Sequence, residues 1–176
     1  MVRNAFGRPD MDYQDIYNHV TSPENLVLLE SDKVIAMGSY NCKKFSGIPS
    51  LIVEGVAIDP QFQGRGIFSE LTNQVLDGTA LISLRTQNPN MYRSLENYCA
   101  EIYPNEFPTP SGIQAVLKDF AKYLGCEINE KGVVKGYYGG LFYDKEPVHP
   151  TRSALFKNVF ELNINQGDAV LAIGVK

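Results

Sequence analysis

An apolar run, Leu51–Ile58 (LIVEGVAI), leads through Asp59-Pro60 into a short glycine-containing loop, Gln61–Gly66, and then into an amphipathic stretch. The run is rich in β-branched residues and reads as a buried central strand. From Ile67 the period changes. Ile67, Phe68, Leu71, Val75 and Leu76 share one face, while Ser69, Glu70, Thr72, Asn73 and Gln74 take the other, which predicts a helix stopped at Asp77-Gly78. Ala80–Arg85 reads as the next strand. Such a strand–loop–helix–strand unit holds the first turn of its helix, with unpartnered N–H groups and the positive end of the helix dipole, against the end of a sheet. Glycine lets that backbone adopt positive φ and lie close to a ligand. Arg65 adds a charge suited to phosphate. The loop is a candidate anion site, although glycines serving only a turn would give the same pattern.

The rest of the chain supplies a mixed α/β or α+β domain with a central sheet. Met1–Asp10 has no clear pattern, and Tyr13–Val20 is a short helix. Leu26–Glu30 and Lys33–Phe45 form a hairpin about Ser31-Asp32, with the next turn at Gly47, Pro49 and Ser50. Asn88-Pro89-Asn90 starts a helix over Met91–Ala100. After a loop holding Pro104, Pro108 and Pro110, Ser111 and Gln114 have capping-box spacing, and Ile113, Val116, Leu117, Phe120 and Leu124 line a helix ended by Gly125. Val133–Tyr138 and Leu141–Tyr143 read as a hairpin about Gly139-Gly140, Ser153–Leu162 as a helix and Ala169–Val175 as a closing strand. No linker or repeat divides the chain, so residues 1–176 are read as one domain.

The anion can be narrowed by spacing. A P-loop needs four residues between its glycines and then Gly-Lys-Ser/Thr, which the chain lacks. A dinucleotide fingerprint needs a third glycine, where Ser69 stands, and an acidic residue closing the second strand, where Arg85 and Thr86 stand. The pattern that fits is Gln/Arg-x-x-Gly-x-Gly/Ala, as Gln61-Phe62-Gln63-Gly64-Arg65-Gly66. With its strand, VEGVAIDPQFQGRGIF resembles the acyl-CoA-binding core of the GNAT N-acyltransferase superfamily, closely over Leu51–Leu76 and moderately over Ala80–Tyr103. The resemblance implies a mostly antiparallel central sheet with one splayed strand pair, flanking helices and acetyl-CoA as cosubstrate, with no metal. It puts the CoA pyrophosphate on the backbone of Gln63, Gly64, Arg65, Gly66 and Ile67, within the loop that Gln61 opens. The pantetheine arm falls along the backbone of Val56, Ala57 and Ile58. Asn88 stands where the family often has an asparagine near the pantetheine, but an asparagine before proline is also a plain turn residue.

The implied chemistry is transfer of an acetyl group to a primary amine by direct attack. An alkyl amine with a pKa of about 10.4 must lose a proton first, and the oxyanion needs a donor such as a strand N–H. Glu54 is the candidate base or amine-binding group. It is the one charge in an apolar strand, where a carboxylate needs a partner, and simple alternation puts it on the face of Val56 and Ile58. Glu-Gly before a short apolar strand end resembles aminoglycoside N-acetyltransferases and related small-amine enzymes, in which a glutamate there faces the acceptor. A salt-bridged structural glutamate is the alternative. Tyr98 is the candidate acid, since family members often carry Tyr-x-x-x-Gly-Phe after the second strand. Here Tyr98-Cys99-Ala100-Glu101-Ile102-Tyr103 keeps both aromatics and replaces the glycine by Ile102. Tyr92 and Tyr103 are substitutes. Cys99 has no histidine neighbour, and direct transfer needs no nucleophile.

The family's usual first strand is not visible at the N-terminus, and the segment near 104–126 reads as a helical insertion. The net charge of -4 argues against nucleic acid and suits a cationic acceptor. The first thirty residues carry no apolar run, and nothing is long enough to span a membrane. Cys42, Cys99 and Cys126 lie far apart and read as reduced thiols of a cytoplasmic protein. A small-molecule amine is the expected acceptor, and self-association into a homodimer stays open. A protein amino group as acceptor, or a non-catalytic acyl-CoA-binding module, are the competing functions.

Overall fold

The structure is a computed structural model covering residues 1–176. Two helices, α1 (Val2–Phe6) and α2 (Tyr13–Thr21), precede the sheet. The Asp12 carboxylate caps α2 by accepting from the Gln14 and Asp15 amides. Next come β1 (Asn25–Glu30), β2 (Val34–Phe45) and β3 (Ile48–Ile58), joined as antiparallel hairpins. The β2–β3 turn is tighter than the sequence suggests. Ser46 and Gly47 both take positive φ, 49° and 80°, so Pro49 and Ser50 already belong to the strand. The chain continues through the glycine loop into α3 (Ile67–Asn73), β4 (Leu81–Thr86), α4 (Pro89–Tyr98) and β5 (Glu101–Tyr103). It ends with α5 (Ser111–Tyr123), β6 (Val133–Val134), a single turn α6 (Arg152–Ala154) that runs on as a π-helical turn over Leu155–Val159, and β7 (Ala169–Val175).

The strands form one seven-stranded sheet in the order β1-β2-β3-β4-β7-β5, with β6 also paired to β7. Only β3 and β4 run parallel. No strand precedes β1, so the sheet opens on the Asn25–Glu30 edge. On one face Tyr40, Leu51, Val53, Ile82 and Leu84 pack under α3, α4 and the α6 region. On the other, Phe45, Ile52, Leu81, Leu171 and Ile173 pack under Val116, Leu117 and Phe120 of α5. The helix expected as an insertion therefore covers this sheet face at β2, β3, β4 and β7, leaving Leu26 and Leu28 of β1 exposed.

Three local expectations fail for nameable reasons. Ser111 does not cap α5; Pro110 occupies the cap position, and the Gln114 side-chain amide donates to the Thr109 carbonyl (2.8 Å). The hairpin expected over Val133–Tyr143 shrinks to β6, because buried side chains capture the chain beyond it. Asp168 accepts from the Gly136 amide (3.0 Å) and from Lys135 Nζ (2.8 Å). Gln87 donates to the Gly140 carbonyl and accepts from the Phe142 amide. The α3 pattern reaches Leu76, but regular helix stops at Asn73.

Candidate active site

The parallel pairing of β3 with β4 runs from Ser50↔Leu81 to Val53↔Leu84 and stops. Beyond it β3 stays paired to β2 through Ile58, and β4 stays paired to β7 through Thr86. The two arms part between Glu54 and Arg85, which opens a gap at the centre of the sheet. The edge of β3 facing that gap carries Val56, Ala57 and Ile58. The glycine loop follows at its far end.

The loop is built to leave amides free. Pro60–Phe62 makes one 3-10 turn capped by Asp59, which takes the Gln61 amide (3.1 Å), so that amide is already spent. The Gln63 side chain folds back to the Ile58 carbonyl (3.1 Å). Gly64 and Gly66 then sit at φ 75° and 77°, and Gly66 opens α3. As a result the amides of Gln63, Gly64, Arg65, Gly66, Ile67 and Phe68 donate to no protein acceptor. Unpartnered amides in succession form a concave donor array suited to an anion. A Cβ at Gly64 or Gly66 would meet no protein atom within 4 Å, so the space in front of both is open. Arg65 lies at the surface with its guanidinium 5.3 Å from the Phe62 ring. These groups fit a pyrophosphate.

Glu54 sits at the base of the gap. The β2–β3 register passes from Ser39↔Gly55 to Tyr40↔Val53, so Glu54 is the extra residue of a β-bulge. The bulge shifts the alternation by one. Glu54 stays with Ile52 on the α5 face, and Val56 and Ile58 turn to the α3/α4 face, contrary to the plain alternation read from sequence. Both of its carboxylate oxygens are engaged, and three donors leave about one acceptor site, on Oε2, to spare. Oε2 accepts from Arg85 Nη1 (2.9 Å), and Oε1 accepts from Asn41 Nδ2 (2.9 Å) and the Tyr123 hydroxyl (2.8 Å). Burial would raise this carboxyl, but the Arg85 charge and the bonds from Tyr123, Asn41 and Arg85 outweigh it and hold the group below the usual carboxylate range. Burial and the bond to Glu54 push the Tyr123 hydroxyl up to about 12.

Tyr98 is not brought to this place. Helix α4 runs back along the sheet from the end of β4, so its last residue lies beside the start of β4. There the Tyr98 hydroxyl bonds Asn73 at the end of α3, and Lys176 Nζ stands 3.8 Å from its ring centre. Neither substitute reaches Glu54 either: the Tyr92 hydroxyl donates to the Pro104 carbonyl (2.6 Å) and that of Tyr103 to Glu101 (2.7 Å). Asn88 is the N-cap of α4, accepting from the Asn90 amide (2.9 Å). Burial pushes the Cys99 thiol up to about 11, away from thiolate chemistry.

Sequence reasoning missed three members of the site: Arg85, Asn41 and Tyr123. Tyr123 had a signal, since it continues the buried α5 stripe at i+7 from Val116 and i+3 from Phe120. Around Arg85, the Tyr137 ring lies 5.6 Å from the guanidinium, and the Tyr138 hydroxyl donates to the Arg85 carbonyl (3.3 Å). Phe142 and Tyr143 continue this aromatic wall to Phe6 of α1, at 5.1 and 5.6 Å between ring centres. The N-terminal helix and the late loop thus meet beside the gap.

A sequence-family description, the acetyltransferase (GNAT) family, matches residues 2–98, more than half of the chain and the whole of the splayed pair and glycine loop. The chain belongs to the GNAT family. It is therefore an acyltransferase, of a family that uses acyl-CoA. No curated protein sequence matches it significantly. Among solved structures it is similar to the ribosomal-protein-S18-alanine N-acetyltransferase from Escherichia coli, at 18% identity over 63% of this chain and 76% of that one, TM-score 0.43. It is also similar to Arabidopsis thaliana Naa50 in complex with a bisubstrate analogue, at 15% identity over 99% and 88%, TM-score 0.44. A third is the GphF GNAT-like decarboxylase in complex with isobutyryl-CoA, at 14% identity over 99% and 90%, TM-score 0.46. None of these likenesses identifies the acceptor. The match leaves α5, Tyr123 and the aromatic wall outside the family pattern.

Proposed function

We propose that this GNAT enzyme transfers the acetyl group of acetyl-CoA directly to the primary amine of a small molecule. The observation that carries the reading is a gap with free amides at one end and a buried carboxylate at its base. The amides of Gln63 to Phe68 would hold the CoA pyrophosphate, and the open edge at Val56, Ala57 and Ile58 would hold the pantetheine arm. When bound, acetyl-CoA supplies an activated acyl group. A strand N–H left free by the splay would polarise the acyl oxygen.

Glu54 faces α5, close to where α1 meets the late loop, and so addresses the acceptor. Three donors keep it charged, so it acts first by fixing the amine or a bridging water through hydrogen bonds. The proton of the amine leaves along that water, because a carboxylate with a depressed pKa is a weak base. Tyr98 has no step in this scheme.

Thermal melts with acetyl-CoA, CoA and NADH added separately test the cosubstrate. A ligand at a hundred times its Kd adds about 2.7 kcal/mol, which is about 5–10 °C for a chain of this size. Both CoA forms should raise the Tm and NADH should not. Transfer assays over polyamines, aminoglycosides, amino acids and peptides then rank acceptors. Binding without CoA release for any acceptor would refute the enzymatic reading, and peptides outrunning every small amine would refute the acceptor class.

A further inference from the structure

The ladder between β3 and β4 ends at Val53↔Leu84, and the next residue on each strand is charged. Glu54 and Arg85 face each other across the first step of the gap. Arg85 Nη1 donates to the Glu54 carboxylate (2.9 Å), and Nη2 donates to the Glu54 carbonyl (3.4 Å). One guanidinium thus ties the side chain and the backbone of one arm to the other arm, where the backbone no longer does so. Both side chains are largely buried, 10% and 13% exposed. Arg85 is steadied by the Tyr137 ring and through the Tyr138 hydroxyl on its own carbonyl.

We propose that Arg85 is a positioning residue of the acetyl transfer: it sets the width of the gap at its base and orients Glu54 toward the acceptor side. The proposal rests on the reading of Glu54 as the acceptor-facing group. The geometry asks for arginine in particular. A planar fork reaches two acceptors at once, whereas a lysine ammonium is a point charge on a flexible stem. Breaking a buried pair by removing one partner leaves the other charge uncompensated. Without Arg85, burial at Glu54 would be opposed only by the bonds from Tyr123 and Asn41, and the carboxyl would take up a proton more readily. The titratable groups that act on Glu54 are Arg85 on β4, Tyr123 on α5 and Tyr137 on the late loop, with Tyr138 and Cys126 next to Arg85. Of these only Arg85 is charged at neutral pH, so its loss has no substitute nearby.

The test uses the full chain and compares wild type, Arg85→Lys and Arg85→Met, with Glu54→Gln to assign the carboxyl signal. Carbon-13 NMR of glutamate carboxyls follows the Glu54 titration directly and needs no turnover. In Arg85→Met the Glu54 midpoint should rise by about one pH unit or more, and the acid limb of kcat/KM should move with it. In Arg85→Lys the midpoint should stay near the wild-type value, because the charge remains. Its kcat should fall about tenfold or more with little change in KM for acetyl-CoA, because the second bond across the gap is lost. Should Arg85→Met fail to fold, the Lys variant still decides, since a lysine that restores full kcat overturns the positioning role. A Glu54 midpoint unmoved in a folded Arg85→Met also overturns it. If the wild type turns over no acceptor, the functional reading falls, while the NMR arm still answers for Arg85.

Discussion

Replacing Gly66 by alanine separates what the glycine does for the fold from what it does for the cosubstrate. Gly66 has φ 77°, and a Cβ there would touch no protein atom within 4 Å. The cost to folding is therefore backbone strain alone, about 1–2 kcal/mol for an L-residue in the left-handed region. It is offset by about 0.4–1 kcal/mol from the stiffer unfolded chain. A net loss of about 1 kcal/mol lowers the Tm by about 2–4 °C. Gly125, behind α5, is a matched control, with φ 68° and equally open space. Gly125→Ala should lose the same few degrees. The two variants should differ in CoA binding. At Gly66 the new methyl occupies the space in front of free amides, where a pyrophosphate must approach, and a tenfold weaker Kd is a modest expectation. At a CoA concentration of a hundred wild-type Kd, stabilisation then drops from about 2.7 to about 1.4 kcal/mol. The ligand-induced Tm shift should be roughly halved in Gly66→Ala and intact in Gly125→Ala, and titration calorimetry should show the affinity change directly. Equal CoA shifts in wild type and both variants would refute the assignment of the loop to phosphate.

Four further outcomes are expected. Tyr98→Phe should leave kcat within about threefold, whereas loss of a working proton donor costs about a hundredfold or more; steady-state kinetics decide. Asp168 is 1% exposed and accepts from the Gly136 and Asn163 amides as well as from Lys135. Asp168→Ala strands both amides and should lower stability by about 3 kcal/mol, read as a lower midpoint in denaturant. Ser83 Oγ is buried without a partner, so Ser83→Ala should melt no lower than wild type, and a loss of more than about 1 kcal/mol would show a hidden bond. Because the folded Glu54 carboxyl is held below its unfolded value, its contribution is present above a pH of about 4.3 and fades as pH falls through the folded pKa. The Tm difference between wild type and Glu54→Gln should be full near neutrality and shrink in acid.

Much of the fold was legible from local pattern. Leu26–Glu30, Lys33–Phe45, Ala80–Arg85 and Ala169–Val175 all proved to be strands, the last with the bounds read from sequence and the others with ends shifted by at most one residue. Each is an apolar run long enough for its period to show. The late segment was illegible for a physical reason. Its backbone bonds go to Asp168 and Gln87, side chains that lie next to it only in three dimensions. The place of Tyr98 beside Asn73 and Lys176 was illegible because spacing along a helix fixes which face a residue takes and says nothing about which end of the sheet that helix reaches.

The glycine loop belongs to the sequence alone. Positive φ at Gly64 and Gly66 and free amides at the start of a helix are properties of a few consecutive residues, so they can be read without knowing the fold. The surroundings of Glu54 belong to the tertiary structure. A one-residue bulge turned Val56 and Ile58 to the face opposite its side chain, and its three partners come from β2, β4 and α5, which only folding brings within 3 Å of one carboxylate. A bulge leaves no mark in the pattern of side chains, and a long-range ion pair leaves none in the spacing. The charge on Glu54 is therefore fixed by residues that are distant from it in the chain.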